Sequence, residues 1–245
     1  MESWQQDRGA SAFTMVEIEV NSRCNRTCSY CPNSVAPRAA PKFMSDAMFE
    51  LILERLREAD FGGRLSYHFY GEPLLHPRLE ALVARASAVL PEMRQVLYTN
   101  GDLLTDARYE QLLEAGIDHF IITYHDGVPS PARLQATILV PQLLQLTNRG
   151  GLVEAGPQAA ALPCFAPSTM LIITITGNIV LCYEDARETE VMGNLKAESL
   201  LEIWESPRFR SVRAALAAGD REQAGICRRC NNRAHLTAAM FDYVA

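Results

Sequence analysis

Short runs of alternating apolar and polar residues give way to helical spacing near the N-terminus, and the exchange repeats down the chain. Met15–Val20 alternates with period two, as a half-buried strand does. Ser45 is placed to cap a helix whose apolar positions, Met48, Leu51, Ile52 and Leu56, follow at helical spacing. Leu65–Tyr70 reads as a second strand, Pro77–Leu90 as a helix, and Arg94–Thr99 as a third strand ending in Asn100-Gly101. Thr105 caps a helix through Glu114, and Ile117–Tyr124 is a fourth strand. This order predicts parallel strands joined by crossover helices.

The rhythm falters after Tyr124. Gly127, Pro129, Pro131 and Pro141 leave little room for another full helix, and Leu143–Thr147 reads as one more strand before Asn148-Arg149-Gly150-Gly151. A complete (β/α)₈ barrel takes about 250 residues, so residues 14–151 are predicted to form a shortened, partial (β/α) barrel behind a polar tail of residues 1–13. Residues 152–245 are predicted to begin with a linker rich in Ala, Gly and Pro and to continue as a small α+β domain. In it, Ile172–Thr176 and Ile179–Cys182 flank the hairpin signal Gly177-Asn178. Glu198–Ala218 is helical, with Pro207 starting a second helix.

Composition narrows the function classes. The chain has 245 residues, 48% hydrophobic and 21% charged, the balance of a globular protein. Its formal net charge of −6, without a block of Lys and Arg, gives no footprint for nucleic acid. No basic start with an apolar run marks a secretory signal. The longest uncharged stretch, Ala155–Tyr183, is broken by Pro157, Pro163 and Pro167 and is no membrane span. A cytoplasmic enzyme is the expectation.

The seven cysteines carry the chemistry. An odd count without a secretory signal argues against a disulfide framework. Cys24, Cys28 and Cys31 form C-x₃-C-x₂-C directly after the first strand, where barrel enzymes place their active sites. Three thiolates on one loop can hold three irons of a [4Fe–4S] cube and leave the fourth open. The alternative is a zinc site with a fourth ligand elsewhere. Cys164, Cys182, Cys227 and Cys230 supply four more thiolates, enough to close a second [4Fe–4S] cluster, with structural zinc the alternative. On the strands, Glu17, Glu19 and Asn21 share one face, as do Ser66, His68 and Tyr70, and Val96, Tyr98 and Asn100. These faces are predicted to line the barrel lumen.

The first cysteine spacing resembles that of the radical S-adenosylmethionine (SAM) enzymes. Gly71-Glu72-Pro73 is similar to that family's Gly-Gly-Glu-Pro motif, with Tyr70 in place of the first glycine. Further matches run through Val16–Ser22, Cys31–Ser34, His68–Leu75, Tyr98–Asp102, Asn148–Gly151, Val191–Asn194, Cys230–Asn232 and Asp242–Val244. Together they resemble the radical SAM dehydrogenases of aminocyclitol antibiotic biosynthesis, which pair a shortened barrel with a C-terminal SPASM-like twitch domain. The resemblance implies two [4Fe–4S] clusters, with SAM on the open iron. It places Tyr30 against the adenine, Glu72 at the SAM ammonium, and Gly71 and Asn100 beside the cofactor. It also implies substrate contacts from Tyr98, His68, Arg149 and Glu184, the last near the second cluster. The implied reaction is oxidation of a secondary alcohol of an aminocyclitol or aminoglycoside intermediate to a ketone. The implied partner is a one-electron reductant of the flavodoxin or ferredoxin type. The alternatives are an epimerase, a peptide-modifying maturase and a non-enzymatic Fe–S protein. An epimerase needs a spare hydrogen-atom donor, and the two cysteine sets use all seven thiols.

Overall fold

The computed structural model describes residues 13–125, 136–139, 146–156 and 162–233. Its strands are β1 (Met15–Ile18), β2 (Arg64–Ser66), β3 (Arg94–Thr99), β4 (His119–Thr123), β5 (Ala136–Leu139), β6 (Met170–Ile173), β7 (Asn178–Val180) and β8 (Val191–Asn194). They form a single sheet in the order β5-β4-β3-β2-β1-β6-β7-β8. From β5 to β6 every pairing is parallel, and β6, β7 and β8 then run as an antiparallel meander. β6 pairs directly with β1, Glu17 opposite Ile172, so the C-terminal segment extends the barrel sheet rather than starting another.

The helices are α1 (Pro32–Val35), α2 (Asp46–Glu58), α3 (Leu79–Val89), α4 (Asp106–Ala115), α5 (Ala166–Thr169), α6 (Leu200–Trp204) and α7 (Pro207–Ala217). Local chemistry sets their ends. Ser45 accepts from the Met48 N–H and Thr105 from the Arg108 N–H, both at 3.2 Å. Ser199 and Glu202 form a capping box on α6. α2 buries Met48, Phe49, Ile52, Leu53 and Leu56 in one core with Val16 and Ile18 of β1 and Leu65 of β2. Among the described residues no helix is long and apolar enough to cross a membrane.

Three expectations need correction. The second strand stops at Ser66 instead of Tyr70, because the chain beyond turns over the cavity and Tyr70 anchors on the far side, donating to the Tyr183 carbonyl at 2.5 Å. The fifth strand is Ala136–Leu139 rather than Leu143–Thr147, within the stretch whose prolines leave little room for a full helix. Its four residues contain none and pair with Phe120–Thr123. Residues 143–145 of the expected strand lie outside the described residues, and Leu146 and Thr147 are not in a strand. The strand β8 had no signal in the sequence pattern; it adds to β7 through a bulge. The tail through residue 12, part of the linker and Asp242–Val244 also lie outside the described residues.

Candidate active site

A cavity of about 570 Å³ opens where the loops after the parallel strands converge, within the usual size range of ligand sites. Cys24, Cys28 and Cys31 all line it. Their loop is held from the neighbouring strand ends. Arg26 makes a two-pronged ion pair with Asp102, Nε–Oδ2 2.7 Å and Nη2–Oδ1 2.5 Å, and Asn25 donates to the same carboxylate at 2.8 Å. Asn100 donates to Asn25 Oδ1 at 2.8 Å and approaches Cys24 Sγ at 3.7 Å. Tyr30 lines the cavity and shares a 2.5 Å hydrogen bond with His125 Nδ1, a residue beyond β4 that sequence patterns did not single out.

Gly71 and Glu72 bind the second loop to the first. A Cβ on Gly71 would lie 1.8 Å from the Asn21 carbonyl oxygen, so only glycine permits this approach. The Glu72 N–H donates to the Arg23 carbonyl at 2.8 Å. The Glu72 carboxylate is buried. Its Oε1 accepts from the Leu74 N–H at 3.0 Å and the Thr99 hydroxyl at 2.7 Å, and its Oε2 accepts from the Asn100 N–H at 2.8 Å. Burial pushes its pKa up, and these donors oppose that rise. A carboxylate offers about four acceptor positions; three are filled, so one remains on Oε2, and Glu72 lines the cavity. Glu72 is thus first a clasp between the loops after β2 and β3, with capacity left for one cationic ligand.

The cavity floor is polar. Glu17 of β1, Arg64 of β2, His68 and Tyr98 of β3 all line it. The His68 and Tyr98 rings stack with centroids 4.2 Å apart. Glu17 Oε2 and His68 Nδ1 are buried without a hydrogen-bond partner among the described residues. Burial, only partly offset by Arg64, pushes the Glu17 pKa up to about 7. Burial and then Arg64 push His68 down to about 3, so its imidazole is neutral. Burial pushes Tyr98 up to about 12. Glu19, on the same strand face, does not line this cavity. It pairs with Arg38 and accepts from the Ile175 N–H at 3.0 Å. Asn21 turns to the Glu72 carbonyl at 2.6 Å, and Ser66 is buried away from the cavity lining.

On the opposite wall, Arg149 sits on a turn in which three successive residues are left-handed: Arg149 at φ 50°, Gly150 at 63° and Gly151 at 88°. A non-glycine residue there is strained, and Asn148 holds it in place. Asn148 Oδ1 accepts from the Gly151 N–H at 3.3 Å and the Asn231 N–H at 3.2 Å, and Nδ2 donates to the Arg229 carbonyl at 2.6 Å. The guanidinium lies 5.9 Å from the Tyr70 ring and 3.9 Å from Glu184, with Nε unpartnered among the described residues. Burial works against its charge, but Tyr70, Glu184 and Tyr183 outweigh it, so Arg149 stays protonated.

Behind this wall lies a second, small cavity lined by Cys164, Cys182, Cys227 and Cys230. Burial first and mutual repulsion second hold Cys182 well above the ordinary thiol range, and lift Cys227 to about 12. Tyr183 lines both cavities. Glu184 lines only the small one, where Thr147 donates to it at 2.9 Å and Asn232 at 2.7 Å. The resemblance gives Glu184 a role, matches Asn232 without one, and gives none to Thr147. Asn232 also donates to the Tyr183 hydroxyl at 2.5 Å, and its N–H reaches Cys230 Sγ at 3.4 Å.

Both thiol sets suit iron–sulfur clusters. Each converges on one cavity. Three thiolates can hold three irons of a cube and leave the fourth open, and four can close one.

Comparison with known proteins agrees with this geometry. The profile of the Radical SAM superfamily matches residues 18–155, and that of an iron–sulfur cluster-binding domain, SPASM, matches residues 164–231. The S-adenosyl-L-methionine-dependent 2-deoxy-scyllo-inosamine dehydrogenase of Niallia circulans is 40% identical, over 95% of this chain and 98% of its own. The crystal structure of BtrN in complex with AdoMet and 2-DOIA superposes with a TM-score of 0.89 at 39% identity, covering 96% of this chain and 99% of that one. BtrN in an open conformation gives 0.79 at 37% identity, over 95% and 99% of the two chains. Streptococcus suis SuiB bound to its precursor peptide shares the fold alone, with a TM-score of 0.56 at 13% identity over 90% of this chain and 71% of that one. A family profile over more than half of its length, and a relative matched nearly end to end, establish that this chain belongs to the radical SAM superfamily.

Proposed function

We propose that the chain oxidises a secondary alcohol of an aminocyclitol, free or glycosylated, to a ketone, with SAM consumed as co-substrate. The observation that carries the proposal is the shared wall. Tyr183 lines both the three-thiol and the four-thiol cavity, and Tyr70 and Arg149 flank it on the larger side. A substrate held there lies between a site that makes radicals and one that takes electrons. Cys24, Cys28 and Cys31 would hold the first cluster, and Cys164, Cys182, Cys227 and Cys230 the second. When bound, the first cluster with SAM supplies a 5′-deoxyadenosyl radical, and the second supplies an electron acceptor.

The chain's own residues do the rest. Tyr30, Gly71, Glu72 and Asn100 form the SAM end of the cavity, with the spare position on Glu72 Oε2 for the ammonium. Arg149 lines the cavity, and its guanidinium is assigned to the carbinol oxygen. As a permanent cation it donates, stabilising negative charge on that oxygen as its proton leaves. Tyr98 and His68 meet the ring from the floor, where a neutral imidazole hydrogen-bonds to hydroxyl groups without adding charge. Glu17 lines the same space, and its carboxyl group suits an amino substituent. Glu184 acts from behind, fixing Arg149 and Asn232. The name of the Niallia circulans relative, a dehydrogenase of an aminated cyclitol, supports this substrate class. The electron that starts each turnover comes from an external carrier of the flavodoxin or ferredoxin type, and the oxygen-sensitive clusters fit the cytoplasm.

The substrate loses a hydrogen atom from carbon, a proton from oxygen and one electron. Anaerobic turnover in D₂O with SAM, reductant and an aminocyclitol should therefore yield a product two mass units lighter with no deuterium at a carbinol carbon. A product of unchanged constitution carrying one deuterium at an inverted carbon would establish an epimerase instead. All seven cysteines fall in the two sets, which leaves no spare thiol to return a hydrogen atom.

A further inference from the structure

Arg221 is a buried cation without an anionic partner. It is 8% exposed, and its guanidinium is caged by three backbone carbonyls: Leu162 on Nε at 3.0 Å, Cys230 on Nη1 at 3.0 Å and Asn232 on Nη2 at 3.3 Å. Among the described residues no carboxylate pairs with it. Other well-covered arginines differ: Arg38 meets Glu19 and Glu188, and Arg26 meets Asp102. Carbonyl dipoles fill the guanidinium's donors but do not neutralise its charge, and an uncompensated buried charge is costly. The compensation lies next door. Arg221 lines the small cavity together with Cys164, Cys182, Cys227 and Cys230. Its positive field reaches Cys164, Cys227 and Cys230.

We propose that Arg221 is the counter-charge of the four-thiolate site and raises the reduction potential of the cluster held there, poising that cluster to accept the substrate's electron. The inference rests on the assignment of these cysteines to an iron–sulfur cluster. A cluster gains one negative charge on reduction, so a fixed cation beside it favours the reduced form. Net charge, hydrogen bonds to sulfur and solvent exposure set such potentials. Two of these raise the potential here: Arg221 supplies positive charge, and the Asn232 N–H bonds to Cys230 Sγ. The burial of Cys182, Cys227 and Cys230 opposes them by disfavouring the added negative charge, which is why a fixed cation is needed beside the site. Arg221 is a positioning residue by this account, since it touches the ligand loop and not the substrate.

The test is an anaerobic redox titration of the reconstituted enzyme, followed by electron paramagnetic resonance through the signal that SAM addition leaves unchanged. Arg221→Gln should lower the midpoint of that signal. At a fixed potential the oxidised-to-reduced ratio should rise tenfold or more, equivalent to about 59 mV for one electron. Arg221→Lys keeps the charge and should hold the wild-type midpoint within a fraction of that shift. An unchanged midpoint in a fully loaded Arg221→Gln enzyme overturns the inference. If Arg221→Gln does not retain the cluster, Arg221→Met, which removes the charge but keeps a long side chain in the same space, is titrated in its place, and an unchanged midpoint in that fully loaded variant overturns the inference equally. Iron sufficient for only one cluster in the wild-type enzyme would instead defeat the underlying cluster assignment.

Discussion

Glu17→Gln tests the cavity floor through stability alone. Glu17 is 6% exposed, and its Oε2 has no hydrogen-bond partner among the described residues. Burial raises its pKa from 4.5 to about 7, with Arg64 supplying only partial relief. A carboxyl moved that far costs about 3 kcal/mol once ionised, at about 1.4 kcal/mol per pH unit. The sign follows from linkage. The folded pKa lies above the unfolded one, so the neutral acid's stability is complete below pH 4.5 and is lost as pH rises to 7. Glutamine keeps the shape and cannot ionise. The variant should therefore exceed the wild type by about 3 kcal/mol at pH 8, shrinking to less than about 1 kcal/mol at pH 5. For a chain of this size that is about 6–12 °C in Tm at pH 8. Anaerobic calorimetry of both proteins at one scan rate, from pH 5 to 8.5, measures it. Parallel Tm profiles would refute the buried, unpaired carboxylate. If Glu17 also meets a substrate amine, an aminocyclitol should stabilise the wild type more than the variant at pH 8, since its ammonium offsets the ionised carboxylate.

Three other substitutions probe the rest of the site. Glu72→Gln turns one acceptor into a donor facing the Asn100 N–H or the Leu74 N–H and Thr99 hydroxyl. It should cost about 2–4 kcal/mol, from lost charge-assisted bonds and a buried orphan donor, and should weaken SAM binding; unaltered Tm and SAM affinity would refute the clasp. Arg149→Lys retains charge but not the planar fork. Deoxyadenosine should still form from SAM while ketone per deoxyadenosine falls at least tenfold; a wild-type ratio would remove Arg149 from the chemistry. Replacing Cys24, Cys28 and Cys31 together with Ala should reduce iron from about eight to about four per chain and abolish SAM cleavage. Stoichiometric zinc with about four irons in the wild-type protein would overturn the second cluster.

The sequence by itself determined the features whose causes are local. Ser45 and Thr105 cap their helices because a cap needs only a side chain three residues from an N–H. β3 spans Arg94–Thr99 because alternation and the following Asn-Gly lie within one short window. The two cysteine sets separate by spacing alone, and the first set together with Gly71-Glu72-Pro73 carries the resemblance that implies an open-iron site. Tertiary structure decided whatever depends on pairing across the chain. Glu17, Glu19 and Asn21 share a strand face, yet only Glu17 meets the cavity, because Arg38 takes Glu19 and the loop at Glu72 takes Asn21. Glu72 spends three acceptor positions on residues up to 28 away in sequence. Glu184 lies behind the wall, bonded to Thr147 and Asn232, 37 and 48 residues away. Arg221 reads as one more surface cation until the fold places Leu162, Cys230 and Asn232 around it. Periodicity reports which face of its own element a residue occupies. What stands opposite that face is set by packing between distant segments, and that determines whether a buried charge is clasped, paired or left free to act.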